Sequence, residues 1–410
     1  MAAPAEDPRR WSVLWLVAIG ELLAMAPWFS ASAVARPLNV SWHLDAFGLP
    51  GLAIAVQVGF AAGALLLAAT AAADRIPARL LFATGATLAA VANLGFAYVA
   101  VDAGSALPFR VLTGFALACV YPIGLRLVVG WFRQERGTAI GVVVGALTVG
   151  SALPYLIRAL GIGQDDWRAT VAGASVLALA GGLVVLFAGT AGPWDRPAPR
   201  FTIDVVRSAF REPAVRLANI GYLGHMWELY AMWTWIPLFL AASFATAGAA
   251  DPVLASSAAF AVVASGGIGC VVAGLLSDRV GRTTTTIAAM AASGTSAIVT
   301  AFLFGAPVAV TLVVAIVWGI TVVADSAQFS AAVSELAPEG TAGSALAVQT
   351  AAGFLLTSVT IVGVGVVGLG TETGWQLGFA ALALGPAVGI AAMWRLRHRP
   401  EAIRLANGRR

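Results

Sequence analysis

Of the 410 residues, 60% are hydrophobic and 11% charged, and the mean hydropathy is +0.88. Soluble domains are roughly 45–50% apolar and about 25% charged, and no water-soluble packing of this length hides so much apolar surface behind so few charges; a soluble enzyme, a disordered chain and a soluble nucleic-acid binder are excluded. The net charge of +4 rests on 24 basic residues, all arginine, and most of them lie in short segments between apolar runs rather than in a patch for nucleic acid.

A spanning helix needs about 20 mostly apolar residues. Twelve such runs follow one another, at 11–34, 46–72, 79–100, 105–130, 136–160, 168–192, 214–243, 253–277, 284–304, 306–333, 341–369 and 374–396. Their length predicts helices, because a membrane barrel would show segments of about ten residues with alternating apolarity. The 45 glycines suit helices that approach closely in lipid. Arg9 and Arg10 give the first run the look of a secretory signal, but Glu21 at its centre is foreign to a signal core. The run is expected to stay as the first span.

Arginine placement sets the orientation. One set of loops holds Arg9, Arg10, Arg75, Arg79, Arg133, Arg136, Arg196, Arg200, Arg207, Arg211, Arg216, Arg279 and Arg282, and the tail adds six more. The opposite loops hold little beyond Arg36 and Arg168, and they carry Asp45, Asp102, Asp165, Asp166, Asp251 and Glu372. Both termini are therefore expected in the cytoplasm of a multi-pass plasma (bacterial inner) membrane protein. The linker contains Phe201, Val205 and Phe210 opposite Arg200, Arg207 and Arg211, which fits either a short interfacial helix or a plain tether.

The chain repeats itself. Residues 21–28 (ELLAMAPW) match 228–235 (ELYAMWTW) at an offset of 207. Ala73-Asp74-Arg75-Ile76 matches Ser277-Asp278-Arg279-Val280 at 204, and Gly137-Thr138-Ala139 matches Gly340-Thr341-Ala342 at 203. Three matches in order at nearly one offset predict two six-helix halves: residues 1–192, a linker at 193–213, residues 214–396, and a basic tail at 397–410.

Several motifs then resemble the major facilitator superfamily of secondary transporters. Gly274 to Arg282 (GLLSDRVGR) is similar to that family's loop motif, and its first-half copy at Asp74 and Arg75 is degraded, with Ile76-Pro77-Ala78 following. Arg110 with Gly114 resembles the fourth-helix motif, and Trp131 to Gly141 the entry to the fifth helix. Gly141, Gly145 and Gly150 resemble the fifth-helix motif of the family's antiporters, although Ala146 stands where proline is expected. The resemblance implies an all-α membrane protein of twelve transmembrane helices in two pseudo-symmetric bundles. It also implies that Asp74, Arg75, Gly274, Asp278, Arg279, Gly281 and Arg282 form a gating latch. Physically, Asp278 suits the N-terminus of a neighbouring helix.

Ionisable residues at midplane depth are rare and mark function by default. Glu21 lies about ten residues into the first run, and Glu228 is its repeat mate; His225 shares a helical face with Glu228, and Asp325 lies inside the tenth run. The resemblance places all four on helices that line a central cavity. Glu21, Glu228, His225, Asp325 and Arg110 are the proton-coupling candidates, with Arg110 expected to offset its burial against Glu21 or another acid. Pairing of Glu228 with His225 is the structural alternative. Arg126 is a candidate for an anionic substrate or a snorkelling side chain. Met25, Trp28, Trp227, Tyr230 and Met232 could wall an adaptable pocket, together with Phe29, Trp233 and Trp235, unless these rings form an interfacial belt. Pro27, Pro122, Pro154 and Pro237 are expected to kink their helices.

Without a lysine no Gly-x4-Gly-Lys phosphate loop exists, and Cys119 and Cys270 provide neither a disulfide framework nor metal spacing. No cofactor and no catalytic role are expected. The partners are a small-molecule substrate, protons and the lipid bilayer, with the chain acting as a monomer. The expected function is proton-coupled export of a small organic compound by alternating access; uptake or exchange of a small anion, resting on Arg110 and Arg126, is the alternative.

Overall fold

In lipid a single apolar run satisfies its own backbone only as a helix, and the chain obeys this along its length. The computed structural model describes residues 7–44, 47–133, 135–195, 206–207, 210–338, 341–368 and 371–409, and the regular elements among them are all helices. Among the described residues eleven stretches are long and apolar enough to cross a membrane. They are span two (Gly48–Thr70), three (Ala78–Tyr98), four (Ala103–Val129), five (Arg136–Ala159), six (Trp167–Ala188), seven (Pro213–Thr246), eight (Pro252–Val280), nine (Arg282–Phe302), ten (Val308–Leu336), eleven (Ala342–Val367) and twelve (Glu372–Arg397). The remaining crossing, span one, is made of three pieces, Arg9–Ala24, Ser30–Ala33 and Ala35–Trp42.

The breaks have local causes. In span one, Pro27 lacks an amide proton and biases the residue before it away from helix, and residues 25–29 form turns. Span four is two helices, Ala103–Leu117 and Tyr121–Val129, with Pro122 opening the second. Span ten is Val308–Val322 and Ser326–Leu336, parted at Val323–Asp325 without a proline. Pro154 and Pro237, expected to kink, sit inside unbroken helices.

Two bundles emerge from the packing. Spans one and six, two and four, three and four, three and six, and one and five pack together. The same relations recur as seven with twelve, eight with ten, nine with ten, nine with twelve, and seven with eleven. The bundles meet where span five packs on span eight and span two on span eleven. The repeat is visible at single glycines. A Cβ at Gly181 would collide with Gly20 O, and one at Gly385 with Gly224 O. Both residues of each pair are displaced by 204 positions (20 to 224, 181 to 385). Likewise a Cβ at Gly114 would run into Val56 O, and one at Gly319 into Val262 O. Because the obstruction is backbone, Gly114→Ala is expected to force spans two and four apart, at about 3 kcal/mol or more. The readout is the yield of monodisperse protein and its melting transition.

The acids that marked the loops opposite the arginines are partly helix caps. Asp102, Asp166 and Asp251 accept from the amides of Ser105 (2.7 Å), Arg168 (3.1 Å) and Val253 (2.8 Å) at the starts of spans four, six and eight. The amide and hydroxyl of Ser105 hold the Asp102 carboxyl below the ordinary aspartate range. Of the linker expectation, Phe201 and Val205 lie outside the described residues. Within the basic tail, Pro400–Gly408 is a 3-10 helix with Ala402 and Leu405 fully buried.

Candidate functional site

The break in span one exposes carbonyls that need donors, and Arg110 supplies them. Its Nη1 donates to Pro27 O (3.1 Å), Ser30 Oγ (3.2 Å) and Asn93 Oδ1 (3.1 Å), and its Nη2 to Trp28 O (2.6 Å). The guanidinium also lies 5.4 Å from the Phe96 ring centroid. Asn93 in turn donates to Val171 O and Ser175 Oγ on span six. Arg110 is 1% exposed, and none of its acceptors is a carboxylate. The expected pairing with Glu21 is therefore corrected. A broken helix end presents several oxygens at once, and the planar five-donor guanidinium fits that better than a single acid does.

Glu21 lies elsewhere in the same half. A Cβ at Gly124 in span four would collide with its Oε2, and Phe82 of span three borders the same point. The residue is fully buried, and both carboxyl oxygens are buried without a hydrogen-bond partner. Its repeat mate differs. Glu228 Oε1 accepts from Trp318 Nε1 (2.7 Å) and Oε2 from Ser293 Oγ (2.8 Å). Ser293 is on span nine and Trp318 on span ten, so Glu228 is enclosed within its own bundle. Both donors of Glu228 thus come from its own half, and the neighbours of Glu21 at Gly124 and Phe82 from its own. One turn before Glu228, His225 Nδ1 lies 2.8 Å from Asp325 Oδ1 at the break in span ten, with both side chains buried. Asp325 Oδ1 receives no well-aligned hydrogen bond, and His225 Nε2 is also unpartnered. The pairing considered for His225 is thus with Asp325, not Glu228.

Rings from both halves meet between the bundles. Trp28 stacks on Tyr230 (centroids 5.8 Å) and touches Phe60 (4.9 Å) and Phe354 (5.6 Å). Phe29 meets Tyr230 and Trp233, and Phe60 meets Phe354 at 4.5 Å. The indole nitrogens of Trp28 and Trp233 are buried without partners, as are Gln57 Oε1, both amide atoms of Gln349 and Ser151 Oγ. Trp227 is not in this cluster. Its Nε1 donates to Ala381 O (3.1 Å) and it packs on Gly385, so it faces span twelve rather than span one. Trp235 is anchored to Ile361 O. Met25 and Met232 are fully buried.

The arginine-rich end holds the latch residues. A Cβ at Gly137 would come 2.7 and 2.8 Å from the two carboxyl oxygens of Asp278, which thus sits on the N-terminus of span five in the other half. Gly274 allows the same approach, since a Cβ there would be 2.9 Å from Gly137 O. Gly281 joins spans eight and nine at φ 95°, a conformation that excludes other residues. Arg282 Nη1 donates to Ser277 Oγ, Gln328 Oε1 and Asp278 Oδ1, and Nη2 to Glu335 Oε1 (3.1 Å). In the first half Arg126 grips Asp195 (Nε to Oδ1, 2.9 Å) and Asp74 (Nη1 to Oδ1, 2.7 Å). Arg126 thus bridges the loop after span two and the stretch after span six at the arginine-rich end. Arg75 and Arg279 are exposed and make no ion pair among the described residues. Replacing Gly137 with Ala is expected to dislodge Asp278 and weaken the closed end by about 1–3 kcal/mol. A lower melting transition is the readout; an unchanged melt would mean that Asp278 swings aside freely.

Sequence reasoning missed Asn93, Gln57 and Gln349, each a lone amide in an apolar run, although the rule that flagged the acids applies to them too. It also missed Phe60, Phe354, Ser293, Trp318, Asp195 and Glu335, which carry no signal in one dimension.

The chain matches the family described as Major Facilitator Superfamily over residues 17–361. None of the curated protein sequences matches it. Solved structures share its fold. One is a bacterial homolog of the human lysosomal transporter Spinster (13% identity, 96% of this chain and 98% of that one, TM-score 0.70). Another is the xylose transporter XylE from E. coli (14%, 94% and 99%, 0.69). A third is a mutant of the nucleoside transporter NupG (14%, 94% and 99%, 0.70). Since the family match runs from the first span into the eleventh, this chain belongs to the Major Facilitator Superfamily.

Proposed function

We propose that this transporter couples proton movement to export of a small, uncharged aromatic compound by alternating access, as a monomer in the bacterial inner membrane with both termini cytoplasmic. The observation that carries the reading is Glu21: a fully buried carboxyl group without a donor on either oxygen. A carboxylate in such a place is far harder to sustain than a neutral acid, so the site suits a group that changes protonation as its surroundings open and close. The buried His225–Asp325 contact at the break in span ten is a second candidate element in the other half. The substrate class is supported by the ring cluster between the halves and the unpartnered indole nitrogens of Trp28 and Trp233, which offer stacking faces and edge hydrogen bonds but no formal charge. The anion reading loses its residues, because Arg110 is committed to span one and Arg126 to two aspartates.

The test uses proteoliposomes loaded with a pH-reporting dye. Uridine and chloramphenicol serve as neutral aromatic probes, benzoate and phosphate as anions. Proton flux on adding a neutral probe, lost in Trp28→Ala, supports the reading. Flux driven only by the anions overturns it.

A further inference from the structure

The segment after span twelve is docked on the latch. A 3-10 helix of this length has poor hydrogen-bond geometry of its own, so contacts must hold it. Ala402 and Leu405 are fully buried, whereas Ile403 is 62% exposed, so one side of the segment is pressed against the protein. It packs on the second helix of span ten, Ser326–Leu336, and on the last helix of span twelve, Leu384–Arg397. Ala406 takes φ 45°, a left-handed conformation that a non-glycine residue holds only when its surroundings impose it. In that conformation its amide donates to Glu335 Oε2 (3.0 Å). The other oxygen of Glu335 accepts from Arg282, the arginine of the loop motif. Arg409 donates to the backbone carbonyl of Asp278, whose carboxyl group meets span five of the opposite half.

Span ten matters here because it is already in two pieces. Its second helix is joined to the first through the non-helical stretch Val323–Asp325, and its far end carries Glu335. Opening the arginine-rich end requires that helix and the loop after span eight to leave span five. Both are held by the same short segment.

We propose that residues 400–409 form a strap that keeps the arginine-rich end closed, and that its undocking sets how often this end opens. The strap acts on conformation whatever solute or ion is carried.

The experiment uses the full chain in lipid nanodiscs, with Cys119→Ala and Cys270→Ala as background. Spin labels are placed at the exposed positions Thr70→Cys on span two and Ser334→Cys on span ten. Against this reference, Arg409→Ala should raise the population with longer separations about threefold and Leu405→Asp about tenfold, since the first removes the strap's bond to the loop after span eight and the second its buried anchor against spans ten and twelve. Faster tryptic cleavage at Arg404 verifies undocking. Undocking with an unchanged distance distribution overturns the strap. Arg409 is exposed, so its variant decides the matter even if Leu405→Asp does not fold. Distances are read without flux, so failure of the proton-coupling proposal leaves this result standing.

Discussion

Glu21→Gln is expected to reduce pH-gradient-driven transport by ~10²-fold or more, the scale on which one positioned proton-transfer group contributes. Solute exchange in the absence of a gradient should persist, because the amide keeps the shape of the acid and asks for no proton. The buried neighbours, Gly124 and Phe82, offer the new amide no partner, so a modest loss of stability accompanies the change. Glu228→Gln should behave differently. Its carboxyl group is already held by Trp318 and Ser293, and an amide oxygen can still accept from the indole. Coupling is therefore expected to survive. Glu228→Leu strands both donors in the core and should lower stability by about 2–5 kcal/mol. Proton flux in proteoliposomes and melting of purified protein separate the two effects. If Glu21→Gln retains gradient-driven transport while Glu228→Gln loses it, the roles assigned to the repeat mates are reversed.

The second large effect concerns Arg110. Removing it as Arg110→Leu leaves Trp28 O at the break in span one and Ser30 Oγ without the guanidinium donor, and leaves Pro27 O and Asn93 Oδ1 to share the Ser30 hydroxyl. An expected loss of about 3–5 kcal/mol follows. Arg110→Lys keeps the charge but presents three donors from one point, and it cannot bridge oxygens on both span one and span three. About half of the loss should remain. Intrinsic tryptophan fluorescence reports the unfolding, and it also reports the local packing of Trp28, whose carbonyl accepts the shortest of the four bonds. A variant that melts within about 2 °C of the parent would show that water replaces the guanidinium at that break.

These two residues also show how the repeat is used unequally. Glu21 and Glu228 occupy matching positions, yet one is unpartnered and the other doubly bonded. At the arginine-rich end the exchange runs the other way: in one half span four gives a base, Arg126, to the acid Asp74, while in the other span ten gives an acid, Glu335, to the base Arg282. Duplication supplies the frame, and divergence of single side chains leaves an unpartnered acid in one half and a doubly bonded one in the other.

From the order of its residues alone the chain declared its twelve crossings, its division into matching halves, the arginine-rich end and the depth of its acids. All of these depend on distance along a helix, which is about 1.5 Å per residue whatever surrounds it. What each buried group faces was decided only by the folded arrangement: Arg110 against a broken helix rather than an acid, Trp227 against span twelve rather than the ring cluster, Arg126 between two aspartates, and the tail on Glu335. Direction around a helix axis, and the place where a helix breaks, depend on which neighbour comes close enough to displace the backbone's own hydrogen bonds. That neighbour is often far away along the chain.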